Sequence, residues 1–193
     1  MKLLRPPLWL TICIASLAIT ACDRHIQAAD DGMVGLRVTV LNYTDEYIDE
    51  VYVNRSWAGN GFAHSGGGKI AGSAEVPQQW DPNYTITIRW RDEPLYHKDQ
   101  DALYRQEVAT EPYQQDEHGE MATLWVAFFP EGVVKLYPTF VDPGHPDFPE
   151  RLLLPKLQCR QQHPDSDWCE KSGWLKRDKA RRTAEETAAV ITP

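Results

Sequence analysis

Apolar and polar residues alternate with a period of two over much of the chain, and the pattern predicts a protein built mainly of β-strands. Leu36, Val38 and Val40 alternate with Arg37 and Thr39, as on a strand with one buried face. Residues 42–46 follow as a turn, and 47–53 resume strand character with Val51 and Val53 on one side. The strongest alternation runs over 84–91, where Tyr84, Ile86, Ile88 and Trp90 face one way and Thr85, Thr87, Arg89 and Arg91 the other. Its β-branched and aromatic content supports the same element. Residues 69–76 form a further expected strand, closed by Pro77. Two apolar runs, 122–129 and 133–137, flank Pro130-Glu131-Gly132 and predict a β-hairpin.

Other stretches carry less pattern. Residues 57–68 are rich in glycine and are expected to be a loop; 92–120 are polar, with 102–109 compatible with an edge strand or a short helix. Prolines are dense over 138–155, which predicts another loop. From Leu175 onward Ala, Glu, Lys and Arg dominate without a wide apolar face, giving a short C-terminal helix or a frayed tail. Six or more strands against one short helix predict a mainly β fold, an antiparallel β-sandwich or partly open barrel.

The N-terminus has a different character. Lys2 and Arg5 precede an apolar run over 8–19, broken only by Thr11 and Ser16. Such a run has the length of a secretory signal and is too short to span a bilayer comfortably. It ends in Ile19-Thr20-Ala21-Cys22, which resembles the bacterial lipobox with isoleucine in place of the commoner leucine. The resemblance implies cleavage before Cys22 and fatty acylation of that residue. Two or more acyl chains hold a protein stably at a membrane, at about 0.8 kcal/mol per buried methylene. Asp23 next to the cysteine resembles the enteric signal for retention in the inner membrane; in either the inner or the outer membrane the folded part is expected on the periplasmic face. The expected organisation is a signal peptide over 1–21, a lipidated tether over 22–33, a single β-rich domain over 34–174 and a charged tail over 175–193.

Charge and cysteines refine this picture. Acidic residues outnumber basic ones, 28 to 20, for a net charge of −8, and losing Lys2 and Arg5 with the signal makes the remainder more acidic still. That balance argues against a nucleic-acid partner. With Cys13 in the signal and Cys22 acylated, Cys159 and Cys169 remain as an even pair in an oxidising compartment, and a disulfide between them is expected, two buried thiols being the alternative.

Candidate chemistry is sparse. Gly66-Gly67-Gly68 leads toward a strand and lacks the lysine-serine or lysine-threonine ending of a phosphate loop, so tight turning explains it better. His64-Ser65 suggests a nucleophile, but Ala63 breaks the glycine spacing of a nucleophile elbow. Asp142, His145 and Asp147 lie among prolines and a glycine, which predicts side chains bonded to backbone in a rigid turn rather than a metal site. No catalytic residue, metal or cofactor is expected. Among the tryptophans, Trp57, Trp80, Trp90 and Trp125 lie in or beside strands and are expected in the core. Trp168 and Trp174 flank Cys169 and either pack on the disulfide or form an exposed patch. Trp57, His64, Trp168 and Trp174 are the candidate partner-binding residues.

The residues from Asn42-Tyr43-Thr44-Asp45 through Val53-Asn54, then Trp57, Gly59, Gly66–Gly68, Pro77, Trp80 and Thr87-Ile88-Arg89-Trp90 resemble an uncharacterised family of small proteobacterial lipoproteins. The likeness covers 36–91 and extends more loosely to the Phe-Phe-Pro-Glu-Gly hairpin and His145-Pro146. Many members carry adjacent cysteines where this chain has Gly72-Ser73, so no thiol role transfers. Proteins of that family are often encoded beside phospholipase effectors of the type VI secretion system. The resemblance implies an immunity protein that binds and neutralises a secreted lipase. The alternative is an envelope lipoprotein of structural or glycan- and lipid-binding function, without enzymatic activity.

Overall fold

A computed structural model describes residues 32–114, 122–164 and 167–170. The expected signal segment, Cys22, Asp23, Trp174 and the tail from Leu175 lie outside the described residues. Of the expected tether only Gly32 and Met33 are described, and Met33 already opens the first strand.

Among the described residues, nine strands form two sheets. The first contains β1 (Met33–Asn42), β4 (Ser65–Gly66), β5 (Ser73–Pro77), β8 (Thr123–Phe128) and β9 (Val134–Thr139). Its order is β4-β1-β8-β9, with β5 pairing the other half of the same β1 edge that β4 uses. The second contains β2 (Ile48–Val53), β3 (Ser56–Gly61), β6 (Thr85–Asp92) and β7 (Tyr104–Ala109), in the order β3-β2-β6-β7. The two sheets pack face to face without closing into a barrel, as the period-two pattern predicts. One pairing departs from the antiparallel expectation: β1 and β8 run parallel, with Val38 opposite Leu124 and Val40 opposite Val126.

The core between the sheets follows directly from alternation. Leu36, Val38 and Val40 of β1, Leu124, Val126 and Phe128 of β8, and Val134 and Leu136 of β9 meet Val51, Val53, Ile86, Ile88 and Trp90 of the second sheet. The expected hairpin forms with Val126 opposite Leu136, and Glu131 and Gly132 take positive φ at its turn. Within the polar segment over 102–109, Tyr104–Ala109 forms the strand β7 at the end of the second sheet, with only Val108 buried.

The proline-rich stretch is more than a loop. It folds over the outer face of the first sheet, where Leu41, Tyr43, Trp125, Ala127 and Tyr137 bury against Phe148 and Leu152. Gly144 N–H donates to the Leu152 carbonyl at 2.7 Å, and Tyr43 Oη donates to the Leu153 carbonyl at 2.8 Å. Desolvation holds the Tyr43 and Tyr137 phenols above their ordinary range. The centre of the first sheet is therefore buried on both faces. That explains why Val38 to Leu41 and Leu124 to Phe129 are nearly continuous apolar runs rather than clean alternations.

Two short α-helices and three single 3-10 turns complete the secondary structure of the described residues. α1 (Glu93–Lys98) starts at Asp92, whose carboxylate accepts the Leu95 N–H at 2.9 Å, with Pro94 in the first turn. α2 (Pro155–Gln162) begins at a proline and carries buried Cys159. Cys159 and Cys169 lie at disulfide-bonding distance, Sγ to Sγ 2.07 Å. Glu170, beside Cys169, pairs with Lys156 at 2.5 Å and Arg160 at 2.6 Å. Hydrogen bonds from those two cations hold its carboxyl below the usual range.

Leu124 is fully buried at the centre of the inter-sheet core. Leu124→Ala is expected to lower unfolding free energy by about 2–5 kcal/mol, measured by denaturant titration followed by tryptophan fluorescence.

Candidate functional site

The glycine-rich segment is structured by the strand that precedes it. Asn42, the last residue of β1, is fully buried. Its side-chain amide donates to the carbonyls of Glu46 at 2.8 Å, Gly61 at 3.1 Å and Phe62 at 3.1 Å. Its Oδ1 accepts from the Thr44 N–H at 2.9 Å and the Thr44 hydroxyl at 2.8 Å. One asparagine thus ties the 42–46 turn to the end of β3. A buried carboxamide is stable only when its groups are satisfied, and here both ends are.

Downstream, the chain folds back against β1. Gly67 N–H donates to the Val40 carbonyl at 3.1 Å and Ala71 N–H to the Val38 carbonyl at 3.0 Å. Gly66 has φ +138, and a Cβ there would sit 2.2 Å from the Val40 carbonyl oxygen; at Gly67, with φ +80, it would sit 2.8 Å from a Leu154 methyl. Close backbone approach therefore demands glycine at 66, and the positive φ favours it at 67. Gly68 meets nothing within 4 Å. Tight turning is the role of this run, as its sequence suggests, and it adds the two-residue strand β4 to the edge of the first sheet.

Residues 57–68 are not simply a loop, however. Ser56–Gly61 is strand β3, joined to β2 by a two-residue turn at Asn54 and Arg55. Strand character was hidden because Gly59 and Gly61 replace the apolar residues that reveal a strand.

Between β3 and the returning chain lies a groove of about 370 Å³, lined by Val40, Ala58, Ser65, Lys69, Ala71 and the glycine backbones. Trp57 and Phe62 line it as well. Trp57 is 54% exposed, Phe62 69% and nearby Ile70 59%. Trp57 was expected in the core, as was Trp80, which is 38% exposed and donates its indole N–H to the Thr110 carbonyl. Trp57 lies within β3 with its side chain outward, and Trp80 follows the end of β5; nearness to a strand does not tell which residues the core receives. Trp90 and Trp125 are buried as expected.

His64 and Trp168, far apart in sequence, meet at one carboxylate. His64 Nε2 lies 2.6 Å from Asp45 Oδ1, and Trp168 Nε1 donates to the same oxygen at 3.0 Å. His64 is buried with φ +50. Trp168 is partly exposed, its ring 5.9 Å from that of His163. Asp45, in the Asn-Tyr-Thr-Asp turn, is the residue that sequence reasoning missed: a turn aspartate looks like any other until the tertiary fold supplies its partners. Ser65 Oγ donates to the Phe62 carbonyl at 2.8 Å. His145 Nδ1 accepts the Asp147 N–H at 3.2 Å, and His145 N–H donates to the Asp142 carbonyl at 3.0 Å. That is the rigid turn expected for this segment. Among the described residues no group of three His, Cys, Asp or Glu side chains is arranged to hold a metal.

These features define a two-sheet β domain presenting an aromatic-edged groove beside a hydrogen-bonded turn. Residues 41–136 match the family model DUF3304, a protein family of unknown function. The matched region runs from the end of β1 into β9 and contains the Asn42 turn, all groove residues but Val40, and the whole second sheet. The proline-rich cover and the cysteine pair follow it. No significant match is found among curated proteins or among solved structures.

Gly66→Ala is expected to destabilise the domain by about 1–3 kcal/mol through backbone strain, whereas Gly68→Ala should stay within about 0.5 kcal/mol of the parent. Thermal unfolding by circular dichroism measures both.

Proposed function

We propose that this chain is a lipid-anchored periplasmic protein that binds and neutralises a phospholipase effector of a type VI secretion system. The observation that carries the binding part is the exposure of Trp57 and Phe62 on the lining of one groove. Large aromatics at the centre of an interface supply much of its affinity, at about 2 kcal/mol or more for each dominant residue. Hydrogen bonds from Asn42 hold Gly61 and Phe62 in place, so little ordering cost falls on binding. The lipase as partner rests on the likeness to the small lipoproteins set out above.

A tether at Cys22 suits this role. A lipase must come to the membrane, and an inhibitor fixed there meets it at raised effective concentration. Inhibition then needs only a complementary surface that occludes the enzyme's substrate channel. Asp45, with His64 and Trp168 bonded to it, forms a neighbouring polar edge of the kind that surrounds an apolar interface centre.

Purified protein is expected to inhibit the phospholipase encoded beside its gene. Trp57→Ala combined with Phe62→Ala should weaken inhibition by about a hundredfold or more while leaving the unfolding midpoint in place. In cells, Cys22→Ser should abolish protection. If the parent protein neither binds nor inhibits that enzyme, the reading is wrong; retention on peptidoglycan instead would favour the envelope-binding alternative.

A further inference from the structure

On the outward face of the second sheet, Tyr52, Arg89 and Arg105 stand in one row across three strands. Tyr52 of β2 is the direct partner of Arg89 on β6, and Arg89 is the direct partner of Arg105 on β7. Like charges placed directly opposite one another across a strand pair are destabilising. In a chain with 28 acidic and 20 basic residues, arginines in such register call for a reason.

A third arginine joins them. The two-residue turn after β2 places Arg55 at the end of the sheet. Asn54, with φ +55, docks that turn on β6: its N–H donates to the Thr87 carbonyl at 2.7 Å and its Oδ1 accepts the Thr87 N–H at 3.3 Å. The result is an open concavity of about 560 Å³ lined by Asn54, Arg55, Ser56, Thr87, Arg89 and Arg105, with no carboxylate in its lining.

The charges nearby are unevenly matched. Arg91, the next outward residue along β6, is bound by Asp49 and Glu50. Arg105 pairs with Glu107, which also accepts from the Thr87 hydroxyl. Arg89 has no carboxylate partner among the described residues; its guanidinium is held over the Tyr52 ring, Cζ 5.1 Å from the centroid. Its Nε is shielded from solvent and meets no hydrogen-bond acceptor. Arg55 makes no ion pair among the described residues.

We infer that this concavity is a binding site for a phosphate group, in which Arg89 and Arg55 grip the anion and Arg105 completes the charge. Guanidinium forks suit tetrahedral oxyanions because each offers parallel N–H donors. Donors from three chain segments, with the Asn54 amide and Ser56 hydroxyl beside them, exceed what the two oxygens of one carboxylate can engage. Tyr52 holds Arg89 in place before the ligand arrives. The site shares no lining residue with the groove, although Trp57 of β3 stands beside Tyr52 in the same row, and it does not depend on the function proposed above.

The test uses full-length protein in neutral detergent at constant ionic strength. Inorganic phosphate is compared with chloride, and short-chain phosphatidylglycerol with short-chain phosphatidylcholine, both below their micelle concentrations. Binding is followed by the unfolding midpoint and by phosphorus NMR line broadening. The expected result is a higher midpoint and broadening with phosphate, with phosphatidylglycerol, or with both. Arg89→Gln should weaken binding about tenfold, and Lys98→Gln on α1 should leave it unchanged. A response to phosphatidylglycerol alone assigns the site to lipid headgroups, and one to inorganic phosphate alone to a soluble phosphate. The inference fails if neither ligand binds, if Arg89→Gln binds as the parent does, or if polyglutamate binds where phosphate does not. The last outcome would mark an acidic protein partner.

Discussion

The parallel pairing of β1 with β8 is the constraint on which the other parts rest. Parallel strands cannot be joined by a tight turn, so the chain between them must leave the sheet and return. In this protein that excursion builds the entire second sheet, and its packing buries the inner face of the β1–β8 pair. The outer face would remain an exposed band of Leu41, Trp125, Ala127 and Tyr137 without the segment after β9. Phe148 and Leu152 close it. Burial on both sides gives the strand pair a large share of the hydrophobic stabilisation and leaves its register little freedom, because a slip of one residue would exchange two different apolar faces.

From that rigid pair the rest is positioned by its ends. Asn42 closes β1 and spends its side chain on the backbone of the 42–46 turn and of β3. Gly66 and Gly67 bring the returning chain against Val40 and Leu154. The groove is thus the space left between two backbones held by β1. Its shape comes from missing side chains, and its rim from Trp57 and Phe62. Rigid placement of exposed aromatics on a sheet edge is a physical basis for recognition without large conformational cost.

The second sheet has the opposite character on its outer face. Thr85, Thr87, Arg89 and Arg91 alternate with buried Ile86, Ile88 and Trp90, so solvent-facing positions are under little packing constraint. Charges there are arranged unevenly: Arg91 is neutralised by two carboxylates, while Arg89 faces another arginine and an aromatic ring. Packing does not require that pattern, which is why it bears on function rather than on folding.

Alternation alone determined most strands, because a strand's period is local and each half-buried face writes it into consecutive residues. The hairpin at Pro130-Glu131-Gly132 and the facing of Ile86, Ile88 and Trp90 were legible for that reason. The helix at Glu93–Lys98 also had a local signal, Asp92-Glu93-Pro94, that the polar surroundings obscured. What only the tertiary structure decided are the relations between distant residues. Parallel rather than antiparallel pairing depends on where the chain returns. Burial of Trp125 but exposure of Trp57 depends on which face a later segment covers. The convergence of His64 and Trp168 on Asp45, and the row of Tyr52, Arg89 and Arg105, depend on register between strands. Periodicity tells each residue which side of its own strand it occupies, whereas its neighbours across the sheet are chosen by the packing of the whole.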